Sequence, residues 1–297
     1  MVEHIFGGSW TEIKLARLAK YLTAYRTIFT GNEKARHFKT WYVDAFAGTG
    51  SRSDPDAPTE LQLFEDVYDE TTGYRDGSAK IALGLPKPFD YYLFIERSKV
   101  RVNQLRATME SDYPGLLPLC DFKHGDANQL LKAWCQERNW KKERAVVFLD
   151  PYGMQVEWRT IETLAATKAV DLWYLFPLGV GVSRLLTRDG KINEAWKNRL
   201  ELLFGTSDWQ PRFYNTQTTP DLFGDRETVE RDAPVEKIEA FIHERLGTCF
   251  AGVAKGLVLR NSKSSPLYLL CFAAANERGA PTALRIAQDI LDGQNKG

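Results

Sequence analysis

The sequence predicts an α/β fold: a mostly parallel sheet of seven strands, an antiparallel last strand, and a helical insertion ahead of the closing strands. Three observations predict it. Short apolar runs alternate with helical stripes along most of the chain. The first run, residues 41–46, breaks abruptly into Ala47-Gly48-Thr49-Gly50. The last two runs, 256–260 and 267–274, are joined only by Asn261-Ser262-Lys263-Ser264-Ser265-Pro266, too short for a parallel crossover, so they pair antiparallel.

The chain has 297 residues, enough for one large core with a substantial insertion. Lys+Arg and Asp+Glu are both 39, so no global field draws the protein to nucleic acid or to a membrane. A hydrophobic content of 43% belongs to a packed chain rather than a disordered one. Cys120, Cys135, Cys249 and Cys271 are scattered without ligand spacing, so no metal site is expected, and they suit a reducing cytoplasm. The start, Met1-Val2-Glu3-His4, has neither the basic nor the apolar region of a secretion signal. No apolar run approaches the roughly 18 residues of a membrane span.

Residues 11–29 carry Leu15, Leu18, Leu22, Tyr25 and Phe29 as one helical stripe. Thr11 is placed to cap it, Gly31 to end it, and Lys14 and Lys20 fall on or near its wet side. Tyr42, Val43, Ala45 and Phe46 then leave no polar face, which makes a buried parallel strand. Gly48 and Gly50 permit a sharp turn that brings a ligand against backbone N–H groups. A dinucleotide fingerprint is incomplete here, because Ser53 stands at its third glycine. Asp44, just before the turn, repels phosphate and suits a cation or hydroxyls, which favours a sulfonium cofactor. The stretch resembles motif I of S-adenosylmethionine-dependent methyltransferases. A plain strand and glycine turn is the competing reading.

After Gly50 a polar, acidic segment runs to Asp76, where a Rossmann-type unit passes straight into its helix. It reads as a lid or recognition element, or as a surface loop. Gly77-Ser78 marks the delayed helix, with Ser78 as cap and Ile81, Ala82 and Leu85 facing inward. The second strand, 89–95, ends in Glu96, whose carboxylate can accept from both hydroxyls of a ribose. A helix over 98–111 turns Val102, Leu105 and Met109 inward, and its basic residues read as a solvated face. The third strand, 119–124, meets Gly125-Asp126-Ala127-Asn128. Asp126 can cap the next helix, and in the methyltransferase pattern an acid here bonds the adenine amine while small neighbours accept the ring; the two uses are compatible.

The fourth strand, 144–149, leads into Asp150-Pro151-Tyr152-Gly153, a rigid turn that holds an aromatic ring outward beside an acid. It resembles the Asp/Asn-Pro-Pro-aromatic motif of amine methyltransferases and, more closely, the Asp-Pro-Phe-Gly of tRNA guanine N2-dimethyltransferases. Tyr152 stands where the second proline belongs, a departure from the adenine-N6 enzymes. A structural turn alone would look the same. The fifth strand, 171–175, enters Phe176-Pro177-Leu178-Gly179-Val180-Gly181-Val182-Ser183-Arg184, whose glycines allow movement beside the site or serve a simple turn.

From 185 to 247 the strand rhythm stops. Trp196, Leu200 and Leu203 form one helical stripe and Val235, Ile238, Phe241 and Ile242 another, with a polar loop over 216–225 between them. The last helix covers 282–291 and ends at Gly293. The expected organisation is a core over 1–184 holding the inserted loop 51–77, a helical insertion over 185–247, and a closing part over 248–297.

Taken in order, the stretches D-A-F-A-G-T-G, D-G-S, F-I-E, G-D-A-N, D-P-Y-G and W-Y-L-F-P-L-G resemble the bacterial three-Cys-motif partner proteins over about residues 15–291. That resemblance implies a Rossmann-like methyltransferase fold and a neighbouring protein with a three-cysteine motif, such as a radical-type enzyme. It names an association rather than a reaction. The two resemblances together imply S-adenosylmethionine as cofactor and methyl transfer to an amine nitrogen, for example on a nucleobase in RNA or DNA. Asp44, Phe46, Ala47, Gly48 and Gly50 would hold the methionine half, Glu96 the ribose, and Asp126 with Ala127 the adenine. Asp150, the Pro151 carbonyl and Tyr152 would receive the acceptor, and Arg159 and Arg184 would meet phosphate on a nucleic acid, a partner that the neutral charge supports only weakly. The alternative is a regulatory partner that binds cofactor without turnover; a nicotinamide oxidoreductase is the weaker third reading because of Ser53.

Overall fold

The structure, a computed structural model, describes residues 9–48, 77–221 and 224–293. A long helix, α1 (Ser9–Gly31), leads into β1 (Lys39–Asp44). Four more parallel strands follow, each reached through a helix: α2 (Ser78–Leu83) before β2 (Tyr91–Glu96), α3 (Lys99–Asp112) before β3 (Cys120–His124), α4 (Ala127–Glu137) before β4 (Glu143–Leu149), and α5 (Trp158–Ala166) before β5 (Val170–Phe176). Beyond β5 come a π-helical turn (Leu178–Val182), α6 (Glu194–Phe204), α7 (Trp209–Phe213), a hairpin of β6 (Tyr214–Asp221) and β7 (Gly224–Arg231), and α8 (Val235–Gly247). The chain closes with β8 (Gly252–Val253), β9 (Leu257–Arg260), β10 (Pro266–Ala274) and α9 (Ala280–Leu291).

The main sheet runs β3-β2-β1-β4-β5-β10, with β10 antiparallel to β5. The short β8 and β9 share β10's other edge, pairing with its end and its start, so they fill one strand position between them. This is the seven-position order and direction of the Rossmann-like methyltransferase fold. Parallel strands covered on both faces need apolar residues at every position, which is why their runs stand out in the sequence. Alternate side chains feed two cores: Val43, Leu93 and Val147 pack with α4, α5 and α8, and Tyr42, Phe94 and Phe148 pack with α1, α2, α3 and α9.

Three polar side chains of α1 fasten it along the sheet. Lys14 bonds Asp150 past the end of β4, Tyr21 bonds Asp171 near the start of β5 at 2.6 Å, and Arg26 bonds Thr40 at the start of β1 and lies 3.7 Å from Asp90, the residue before β2. Lys14 and Arg26 are twelve residues apart, about 18 Å of helix, close to the ~20 Å that a six-residue strand covers. The helix therefore spans the sheet from one rim to the other.

Several local expectations are corrected. Thr11 lies inside α1 and is buried, so it is not the cap. Lys14 is 1% exposed, not on the wet side, because its ammonium has a carboxylate to meet. Gly77 caps α2 through its backbone, since the Ser78 hydroxyl is spent on Asp44. The described residues of the polar stretch 216–225 belong to the paired strands β6 and β7, with Tyr214 opposite Arg231 and Thr218 opposite Glu227, so the insertion is not purely helical. Trp196 is 39% exposed while Leu200 and Leu203 are buried, because the stripe of α6 is narrower than its sequence suggests. Among the described residues no helix is long and apolar enough to cross a membrane.

Candidate functional site

The carboxyl ends of β1, β2 and β4 lie side by side, since β1 pairs with both of the others. Asp44 is the last residue of β1 and has no exposed surface. It accepts from Ser78 Oγ at 2.5 Å, from Tyr42 Oη at 3.3 Å and from the Phe46 N–H at 3.3 Å. Burial pushes its carboxyl up to about 7 and the nearby Asp150 charge adds to that, while the three hydrogen bonds pull in the opposite direction. Asp44 therefore sits near half-ionisation at neutral pH, poised to respond to a positive group.

Glu96 ends β2 and is also buried. Its Oε2 accepts from the Gly48 N–H at 3.1 Å and its Oε1 from the Ser98 N–H at 2.8 Å, with Arg101 at 4.0 Å. The turn after β1 is thus strung between two acids, Phe46 on Asp44 and Gly48 on Glu96. The Ala45 N–H goes to the Phe148 carbonyl and the Ala47 N–H to the Ile95 carbonyl. For the described part of the turn this corrects the expectation that its N–H groups face a ligand: residues 45–48, Gly48 included, donate to protein acceptors instead. The described part of the turn, residues 45–48, has its donors spent and is flanked by two carboxylates, so it suits hydroxyls and a cation, which draw on the remaining lone pairs of the acids, better than a phosphate. Gly48 has φ +61, and a Cβ there would meet nothing within 4 Å among the described residues. Gly50, Ser53 and the loop 51–76 lie outside the described residues.

Asp126 is exposed and accepts from the Gln129 N–H at 3.1 Å, so its capping use is present. Ala127 beside it is buried. The next residue, Asn128, is a buried polar side chain to which the sequence assigns no role. It donates to the Gln155 carbonyl at 2.9 Å and accepts from the Glu157 N–H at 3.0 Å and from Thr160 Oγ1 at 2.8 Å. One buried amide therefore fastens the segment that follows Asp150-Pro151-Tyr152-Gly153 to the helix that follows Asp126. Its signal in the sequence is a polar residue on the inner side of a helix start.

Pro151 is buried and Tyr152 is 46% exposed, so the turn after β4 presents its ring outward. Asp150 is held by Lys14 Nζ at 2.5 Å, an ion pair delivered from α1 across the sheet. Lys14 also lies 5.3 Å from the Trp10 ring, which stacks on Tyr268 of β10 at 5.2 Å. The sequence offered one clue to this residue: Trp10, Lys14 and Leu18 share a four-residue spacing and hence one face. Arg159 and Arg184 are both exposed. Gly179 answers a packing need, because a Cβ there would stand 1.8 Å from the Pro266 carbonyl oxygen.

No protein-family model matches the chain, and no curated protein matches it either. Among solved structures, it is similar to the Legionella pneumophila protein LPL1258, with 14% identity, 83% of this chain and 94% of that one covered, and a TM-score of 0.40. It is similar to the Thermotoga maritima spermidine synthase at 9% identity, with 90% and 60% covered and a TM-score of 0.39. It is also similar to Trm1 from Pyrococcus horikoshii, solved with S-adenosyl-L-methionine, at 11% identity, with 88% and 63% covered and a TM-score of 0.34. The strand order described above, rather than any one of these likenesses, carries the fold.

Proposed function

We propose that this protein is an S-adenosylmethionine-dependent methyltransferase that acts on an amine nitrogen, such as the exocyclic amine of a nucleobase. One observation carries the reading: Asp44 and Glu96 are buried at adjacent strand tips and share the turn between them, with Asp150-Pro151-Tyr152 at the tip on the other side of β1. Asp44, Phe46, Ala47, Gly48 and Gly50 would hold the methionine half of the cofactor, Glu96 the ribose hydroxyls, and Asp126 with Ala127 the adenine. When bound, the cofactor would supply an electrophilic methyl group to the acceptor's lone pair, with the C–S bonding pair left on sulfur and the acceptor's proton passing toward the carboxylate of Asp150. Asp150 accepts the acceptor's N–H hydrogen bond, the Pro151 carbonyl offers a second, and the Tyr152 ring stacks on a planar base. The protein's main contribution is alignment, which Asn128 serves by fixing the segment after Tyr152.

Calorimetric titration with S-adenosylhomocysteine, paired with labelled-methyl incorporation into cell RNA, DNA and protein, tests this. Binding together with label in one fraction is expected; absence of binding overturns it. The Lys14 contact favours a second reading, because it draws on the carboxylate that an acceptor would share. In that reading the chain is a cofactor-binding partner of a three-cysteine-motif protein, and binding without label in any fraction, even with that neighbour added, selects it.

A further inference from the structure

We infer that Lys14 sets the charge of the acceptor: with its ammonium on Asp150, the site takes an uncharged nitrogen and turns away an alkylammonium. The inference rests on the proposed methyl transfer and names the acceptor class for that same site.

Lys14 is 1% exposed and a buried ammonium needs a carboxylate, which Asp150 supplies at 2.5 Å. Its place is not adjustable by solvent. Trp10 lies against it and stacks on Tyr268, so the ammonium is positioned by the packing of α1 on β10. The positive and negative groups cancel, and the pair has no net charge to give a cationic substrate. The neighbouring acid, Asp44, already accepts from Ser78, Tyr42 and Phe46, and near neutral pH it is only partly ionised.

An alkylammonium brought to Asp150 would therefore face Lys14 at short range in a poorly hydrated setting, where like charges repel strongly. It would also have to lose a proton before its lone pair could attack, with Lys14 already against the carboxylate that would receive it. An aromatic amine meets neither obstacle. Its nitrogen is uncharged, its N–H is a donor, and the exposed Tyr152 ring offers its plane a surface. Lys14 is thus a specificity-determining residue that acts through Asp150.

Sinefungin provides the probe, because it carries an amine-bearing carbon in place of the methylated sulfur and so presents an ammonium where the methyl group would be. Its affinity relative to that of S-adenosylhomocysteine is measured by calorimetry. Lys14→Met is expected to raise the preference for sinefungin about tenfold, and Lys14→Arg to keep the wild-type preference. Lys14→Met combined with Asp150→Asn, which leaves no buried charge unpaired, is expected to return within about twofold of wild type. Should Lys14→Met fail to fold, Asp150→Asn leaves Lys14 facing the probe and is expected to lower the preference about tenfold. A preference unmoved in these variants overturns the role of Lys14 while leaving the cofactor site standing. If the wild type binds neither compound, the cofactor reading fails and this inference falls with it.

Discussion

Ser78 Oγ donates to Asp44 Oδ2 at 2.5 Å, so the first turn of α2 closes directly over the carboxyl end of β1. Ser78→Ala removes a donor from a buried carboxyl and is expected to destabilise the fold by about 1–3 kcal/mol. The loss should be larger at about pH 8, where Asp44 is ionised, than at about pH 5, where it is mostly protonated. Urea unfolding of the variant and the wild type at both values checks this.

Stability should fall as pH rises from about 4 to about 7 and be level between about 7 and about 8, below the range where buried thiols begin to matter. Burial raises Asp44 to about 7 and Asp171 to about 6, each from an ordinary 3.8. The folded chain therefore keeps two protons up to about pH 6, and one from there to about 7, that the unfolded chain has released, and the slope of stability with pH is negative. Asp171→Asn should flatten the part ending near 6 and Asp44→Asn the part ending near 7. Denaturant midpoints across the range decide it, and a slope unchanged by either substitution would contradict the assignment.

The two best-placed glycines should respond in the order opposite to their prominence in the sequence. Gly48→Ala meets nothing within 4 Å among the described residues and should lose about 1 kcal/mol for its φ of +61. Gly179→Ala places a Cβ 1.8 Å from the Pro266 carbonyl oxygen, and should lose several times as much or fail to fold. Thermal melts of the two variants rank them.

Asn128→Ala should loosen the segment after Tyr152, since one amide serves Gln155, Glu157 and Thr160. A loss of about 2–3 kcal/mol is expected, with faster amide exchange at Glu157. Equal exchange in wild type and variant would show that the segment is held by something else.

The strands were legible because burial on both faces turns each into a continuous apolar run ending in an acid, as at Asp44 and Glu96. The face of α1 was legible in Leu15, Leu18 and Leu22 but not in Lys14. A charged residue on a stripe looks like an edge position until its partner is known, and Asp150 is 136 residues away. The hairpin of β6 and β7 was hidden by composition. Its strands pair with each other rather than with the core sheet, so no apolar alternation marks them. The direction of the N–H groups in the turn 45–48 was beyond reach for the same reason as Lys14: Glu96, which takes the Gly48 N–H, belongs to the next strand.

The most direct measurement is calorimetric titration of S-adenosylhomocysteine into the wild type, Asp44→Asn, Glu96→Ala and, as a control at an exposed ion pair with Lys168, Glu277→Ala. Binding by the wild type and the control is expected, with a loss of at least about tenfold in both acid variants that still melt cooperatively. A wild type that does not bind, or folded acid variants that bind as tightly as the wild type, would contradict the cofactor reading.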